Sequence, residues 1–422
     1  MSETLRLTPM DVALFRDARP FSADDSTGAR LQSELPPQLG LLGAMRLLLL
    51  RSGGLSFQKF RRGAGTEAVG ARPEEPGSLR LGAVCVAREK DGVAEAVYRM
   101  PADLVWVGRK GSLRTRVGDW AYQVPKEDGV AVQTSLPEGL QLLWPAWFRE
   151  NDLRLMKDSD RLQVSGETES RGLPLQSVTA YLTGKHVATA DGTEYFRREK
   201  RIGIERNAAT FTAVAGRLYT AEFLRARERV FFALPVLEAA EALPAGDSVL
   251  SIGGESRPFV VKRDGGVRLI PEDAREKVRA RLTESAVGCG EGCEVRFRLI
   301  LVSPAPPGGE ARKGWLPRLP AMPGLRLEIY AAAVGRPRWL SGWKTGEDNK
   351  TKGGSPRNAR PYIPEGSVFF VRARGATVDA VVDEILREFW CRSSLCEGQE
   401  NLFDRCAGNG VTLVGAVPNA KS

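Results

Sequence analysis

One histidine, His186, stands in a chain of 422 residues. Imidazole is the side chain most often recruited for acid–base work, nucleophile activation and metal ligation, so any catalysis here has to proceed without a histidine pair. A lone surface histidine beside Lys185 is as a rule passive, because proton transfer needs a partner acid or base. The six cysteines fall at Cys85, Cys289-x3-Cys293 and Cys391-x4-Cys396-x9-Cys406. Those spacings depart from the paired CxxC of a zinc site, so buried free thiols and no bound metal are expected. No GxxxxGK[ST], GxSxG or kinase signature occurs, and the glycines of Gly408–Gly415 are wrongly spaced for a dinucleotide fingerprint. No nucleotide cofactor is expected.

The chemistry that the residues do support is recognition of a polyanion. There are 61 Lys and Arg against 52 Asp and Glu, a formal net charge of +9 and a pI near 9.3. Tyr195, Phe196, Arg197, Arg198, Lys200, Arg201 and Arg206 interleave charge with aromatic surface, the pattern that grips single-stranded RNA; a solvated charged hairpin is the plainer alternative. Arg16 and Arg19 flank Asp17, where two guanidiniums either clamp phosphates or hold the turn itself through an Arg–Asp pair. Gly253, Gly254, Gly408, Gly410 and Gly415 let backbone amides approach phosphate or serve tight turns. Trp315, Trp339 and Trp343 lie among Arg312, Lys313, Arg336, Arg338 and Lys344, suited to stacking on bases, to burial in a partner or to core packing.

These residues have to be positioned by a folded scaffold. Hydrophobic residues make up 42% of the chain and charged residues 27%, an ordinary globular balance, and the length predicts two or three domains. The most apolar stretch, Leu39–Leu50, is 12 residues long and contains Arg46, against the roughly 20 residues of a membrane span. The opening residues lack a basic region followed by an apolar one, so a cytoplasmic location is expected.

Periodicity is clearest in the second half. Arg229–Val236, Arg257–Arg263, Glu294–Ser303, Leu325–Val334, Ser367–Val371 and Val411–Val417 read as strands. Pro271–Ser285 reads as a helix with acids in its first turn. Val378, Val381, Val382, Ile385, Leu386 and Phe389 mark one face of another helix. Strand, helix, strand, strand, helix, strand is the order of a ferredoxin-like split unit. In the first half, a strand near Leu5 precedes a buried helix opening at Pro36–Pro37. Segments 63–82 and Glu347–Pro361 read as loops. The expected class is α+β: two ferredoxin-like, RRM-like βαββαβ domains, 1–222 and 223–422, with long loop and hairpin insertions.

Six segments resemble, in order, those of the third Cmr subunit of type III-B CRISPR effector complexes, within the repeat-associated mysterious protein (RAMP) superfamily. They are DVALFRDARPF (Asp11–Phe21), GAMR (Gly43–Arg46), RIGIERNAATFTAVAGRLYTAEFLR (Arg201–Arg225), SIGGESRPFVV (Ser251–Val261), SGWK with PYIPEGSVFFV (Ser341–Val371) and GNGVTLVG (Gly408–Gly415). Phe369 stands where the family commonly has Tyr, and the last loop lacks the family's aromatic between its glycines.

The resemblance implies a non-catalytic subunit of a ribonucleoprotein complex that binds the 5′ handle of the CRISPR RNA. It also implies docking on the large polymerase-like subunit and on a backbone RAMP subunit, with no membrane role. Arg16, Arg19, Arg46, Lys185, Arg197, Arg198, Lys200, Arg201, Gly203, Ile204, Arg206, Thr210, Gly253, Gly254, Arg257, Gly408 and Gly410 are the expected RNA contacts. The rival readings are a metal-independent RAMP endoribonuclease using His186 on precursor RNA, and an adaptor that touches only protein.

Overall fold

The computed structural model describes residues 3–16, 18, 34–109, 118–125, 143–145, 162–165, 172–185, 187, 195–207, 209–289, 292–308, 316–344 and 355–418. Two sheets, antiparallel but for one short parallel strand, Val267–Arg268, form its two main layers. The first is built around β1 (Glu3–Pro9), whose Leu5 and Leu7 are buried while alternate residues are half-exposed. After it comes α1 (Gln38–Ser52), entered from Pro37 and ended at Gly53, with Leu41, Leu42, Met45, Leu48, Leu49 and Leu50 buried against the sheet. Next are β2 (Cys85–Lys90), β3 (Val93–Arg99) and a second helix, α2 (Leu175–Leu182). A long hairpin of β4 (Phe196–Arg206) and β5 (Ala213–Ala226) stands apart as its own two-stranded ribbon.

β6 (Val230–Glu238), β7 (Ser248–Ser251) and β8 (Pro258–Arg263) join the first sheet, whose order runs β7-β8-β1-β6-β2-β3, with three short strands, Arg80–Leu81, Gly172–Pro174 and Val267–Arg268, added to β6 and β3. β1 thus takes β6 along one edge, with Leu5 opposite Leu234, and β8 along the other, with Leu7 opposite Val261. Phe15, Phe232 and Phe259 fill the space beneath, with ring centroids 5.6–6.3 Å apart. The sequence assigned Arg229–Val236 and Arg257–Arg263 to the C-terminal unit, but both strands pair with β1. Strand pairing therefore does not follow the expected division at residue 222. A strand's period reports which face is apolar and is silent about which distant strand will cover its edges.

The second sheet is built on β9 (Gly292–Leu301), β10 (Arg326–Ala333), β11 (Val368–Gly375) and β12 (Thr412–Ala416), in the order β12-β9-β11-β10, with the short strand Val287–Cys289 paired to the start of β9 and every pair antiparallel. Val295, Phe297, Leu299 and Leu301 are buried beneath α3 (Ala274–Glu284) and α4 (Val378–Phe389), the latter contributing Val381, Val382, Ile385, Leu386 and Phe389. No helix of the described residues connects β9 to β10, whereas α4 connects β11 to β12. In the first sheet, α1 lies between β1 and β2, and only two three-residue turns of helix with the short β7 lie between β6 and β8. Each sheet thus has one connection that carries a full helix and one that does not, among the described residues.

A short α5 (Leu402–Ala407) and the glycine-rich run after it join the two sheets. Buried Gln38 at the head of α1 donates to the carbonyls of Gly82 at 2.9 Å, Ala407 at 2.6 Å and Gly408 at 3.0 Å, and accepts from the Val84 N–H at 3.0 Å. No helix of the described residues is long and apolar enough to cross a membrane.

Candidate nucleic-acid interface

The β4–β5 ribbon is closed by a turn in which the Asn207 side chain accepts from the N–H groups of Ala209 and Thr210, at 2.9 and 3.2 Å. Phe211 takes a positive φ of 56° there, and Arg206 lies 5.5 Å over its ring. The register places Arg197 opposite Arg225, Glu199 opposite Phe223, Lys200 opposite Glu222 and Arg201 opposite Ala221. At the root, the ribbon is anchored in the first core: Phe196 stacks on Phe232 at 5.4 Å, and Leu224 exchanges backbone hydrogen bonds with Ala13. Toward the tip, Ile202 is 78% exposed and Phe211 69%, so the ribbon offers apolar surface as well as charge to an outside partner.

Three stretches far apart in the chain converge on this root. Asp11 reaches Arg225 at 2.8 Å and Arg201 at 3.6 Å. Glu199 binds both Arg225 and Arg201, and the Arg225 bond, reinforced by Arg201, holds its carboxyl down to about 2. From the segment after β7, Arg257 lies 4.8 Å over the Phe223 ring, as Arg201 does. Gly253 adopts φ +82°, and a Cβ there would come within 2.5 Å of the Leu14 carbonyl oxygen, which also accepts the Gly254 N–H at 2.7 Å. Glycine is thus required where the Gly-Gly-Glu segment crosses the 11–16 strand end.

Arg225 is neutralised by Asp11 and Glu199, but Arg197, facing it across the ladder, makes no ion pair among the described residues. Like charges directly opposite each other destabilise a strand pair unless an anion is supplied. Lys200 is likewise exposed and without an ion pair among the described residues. The opposite strand's Glu222 is already engaged by Arg198, which also reaches Glu34 at 2.7 Å. The arrangement is a salt-bridged root carrying two cations that have no ion pair among the described residues, and an apolar tip.

The other expected contacts divide. Arg16 is exposed beside the root, and Gly203, Ile204, Arg206 and Thr210 lie along the ribbon and its turn. Arg19 and His186 lie outside the described residues. Lys185 is exposed beyond the C-terminus of α2.

Arg46 has a different task. It donates to the carbonyls of Val69, Arg72, Pro73 and Glu75 at 2.8–3.0 Å, so four of its five N–H groups close the 69–75 loop, and burial lowers its pKa. Gly408 and Gly410 are buried, their N–H groups spent on the carbonyls of Arg405 and Pro304. The apolar sequence around the glycines reflects a joint between sheets, where a Cβ on Gly408 would sit 2.5 Å from the Gly82 oxygen. Asp11, Glu199, Phe223 and Arg225 were not anticipated; locating the turn at Asn207 would have set the register that brings three of them together.

The Cas_Cmr3 family of CRISPR-associated proteins matches residues 5–390. The chain belongs to this family. It is therefore a Cmr3-like, RAMP-type CRISPR protein. Among solved structures, the Cas_Cmr3-family chain is similar to one from the Type III-B Cmr-beta complex bound to cognate target RNA and AMPPnP, at 13% identity and a TM-score of 0.39, covering 91% of this chain and 89% of that one. A second, from Cmr-beta bound to cognate target RNA, has 14% identity and a TM-score of 0.37 over 91% and 89%. A third, from a Csm3–Csm4 subcomplex of a type III-A interference complex, has 11% identity and a TM-score of 0.30 over 87% and 92%. No curated protein matches the chain.

Proposed function

We propose that this Cas_Cmr3-family protein is a non-catalytic subunit of a type III-B Cmr effector complex that holds the 5′ handle of the CRISPR RNA and docks on the large polymerase-like subunit and a backbone RAMP subunit. The observation that carries the reading is the ribbon root. Segments 11–16, 197–201 and 253–257, all within motifs of the family resemblance or beside them, meet around Phe223, with Arg197 and Lys200 exposed and without an ion pair among the described residues. Charge with exposed aromatic and aliphatic surface is what single-stranded RNA requires. We read the strand orders β8-β1-β6-β2 and β12-β9-β11-β10 as two ferredoxin-like sheets, each with one crossover helix replaced by loops.

Replacing Arg197 and Lys200 together by Ala should weaken handle binding and reduce the salt slope of log K by about 1.4, at about 0.7 per phosphate contact. An unchanged affinity and slope would remove the ribbon from the RNA site. Incubation of the purified protein with repeat RNA tests the non-catalytic role: cleavage that disappears in His186→Ala would replace it with the nuclease reading.

A further inference from the structure

Residues 35–66 contain no Asp or Glu, and their cations gather toward the end of that stretch. α1 stops at Gly53 and Gly54, the latter at φ +67°, and a short helical turn, Phe57–Arg61, follows. Its backbone is held locally. The Ser56 hydroxyl accepts the Lys59 N–H at 3.3 Å, and the Lys59 carbonyl accepts the N–H groups of Arg62 and Ala64 at 3.0 and 3.1 Å. Phe60 is buried in the first core, and the Phe57 ring packs on it in a T-shaped contact with centroids 6.0 Å apart. At 1.5 Å per residue, the 15 residues of α1 put this corner about 22 Å along the helix from the end at which Glu34 binds Arg198 of the ribbon.

Lys59 and Arg62 are exposed, and the 69–75 loop brings Arg72 to the same corner. Gly63 makes room for it: the residue sits at φ +93°, and an added Cβ would lie 3.4 Å from the Arg72 Nε. Among the described residues none of these three cations makes an ion pair, and the loop's own Glu67, Glu74 and Glu75 form none with them. Phe57, in the same turn as Lys59, is 43% exposed, and Phe60 can cover only one of its two faces. The core of a protein–protein interface is depleted in charged residues, and this corner offers a single ring among cations. Phosphates with a base to stack fit that composition better.

We infer that the 57–72 corner is a second contact for single-stranded RNA, separate from the ribbon, in which Lys59, Arg62 and Arg72 hold phosphates and Phe57 stacks on a base. The site reads no sequence, since its cations address the backbone and every base has a face to stack. It stands on its own residues and does not require the ribbon reading to hold.

The test uses the full chain and a fluorescein-labelled, single-stranded oligouridylate, with poly-glutamate as a polyanion lacking bases. Lys59→Ala, Arg62→Ala and Arg72→Ala together should lower the salt slope of oligouridylate binding by about 2.1, and by the same amount in a chain already carrying Arg197→Ala and Lys200→Ala. Phe57→Leu keeps an apolar contact for Phe60 and removes the stacking face, so it should weaken oligouridylate binding roughly tenfold and leave poly-glutamate binding unchanged. If the corner variants leave oligouridylate affinity and slope unaltered while the ribbon variants weaken binding, the corner inference fails and the ribbon reading stands. Loss with the corner variants alone gives the reverse result. Poly-glutamate competing as well as unlabelled oligouridylate would make the corner a site for acidic protein and overturn the inference. Release of a co-expressed Cmr subunit by the corner variants, at unchanged RNA affinity, would overturn it as well.

Discussion

Arg298 and Asp103 form an ion pair at 2.6 Å with neither side chain exposed. The guanidinium also donates to the carbonyls of Ala416 at 2.8 Å and Tyr181 at 2.6 Å, and its carbon lies 4.5 Å over the Tyr181 ring. Tyr181 in turn donates its hydroxyl to Asp103 at 2.7 Å. The network pins β9 of the second sheet to α2 and to the segment following β3.

Removing one member of such a network leaves a buried charge without its counterpart. Asp103→Ala should therefore cost about 3–5 kcal/mol, read as a large fall in the urea midpoint. Asp103→Leu combined with Arg298→Met should cost less than Asp103→Ala alone. A single variant with wild-type stability would contradict the assignment of the pair as a structural joint.

The ribbon root has a defined pH window. Glu199 has its carboxyl depressed from 4.5 to about 2 in the folded protein by Arg225 and Arg201. A depressed acid contributes stability that is present above its unfolded pKa and is lost as pH falls through its folded one. Amide exchange protection of β4 and β5 should consequently hold from pH 7 down to about pH 4.5 and decline between there and about pH 2. Glu199→Gln should show reduced protection already at pH 7. Equal protection in the variant across the whole range would show that the ion pairs do not order the root.

Gly253→Ala forces a side chain into a left-handed backbone against the Leu14 carbonyl, which should destabilise the turn by more than about 1 kcal/mol. By displacing Arg257 it should also weaken RNA binding. Gly265→Ala, where an added Cβ meets nothing within 4 Å, is the control expected to leave both quantities unchanged. Equal behaviour of the two variants in calorimetry and binding would count against the close crossing of the segments.

Gln38 satisfies three carbonyls and one N–H within the joint between α1, β2 and α5. Gln38→Ala leaves several of these buried groups unpaired, at about 1–3 kcal/mol for each. The melting temperature should drop, with Cys406, fully buried beside this joint, becoming faster to alkylate. An unaltered alkylation rate would mean that the joint stays closed without the amide.

How far the chain could be read before its structure was known differs between elements and contacts. The 378–389 helix and the strands near 230, 258, 292, 326, 368 and 412 were visible because their apolar period is local. The cationic character of 197–206 was visible too, since composition and spacing carry it. The resemblance to Cmr proteins rested on the order of short motifs and agrees with family membership over residues 5–390.

Partner choice was not legible. The sequence alone determined which faces of its strands and helices are apolar, which residues bear charge, and that it has too little histidine and no nucleotide motif for the commonest chemistries. Tertiary structure decided that β1 is covered by β6 and β8, that Arg46 and the Gly408–Gly410 run serve internal joints, and that, among the described residues, Arg201 and Arg225 have carboxylate partners while Arg197 and Lys200 have none. The reason is that hydrogen-bond saturation and charge pairing depend on groups hundreds of residues away, as with Gln38 and Gly408, whereas periodicity depends only on neighbours.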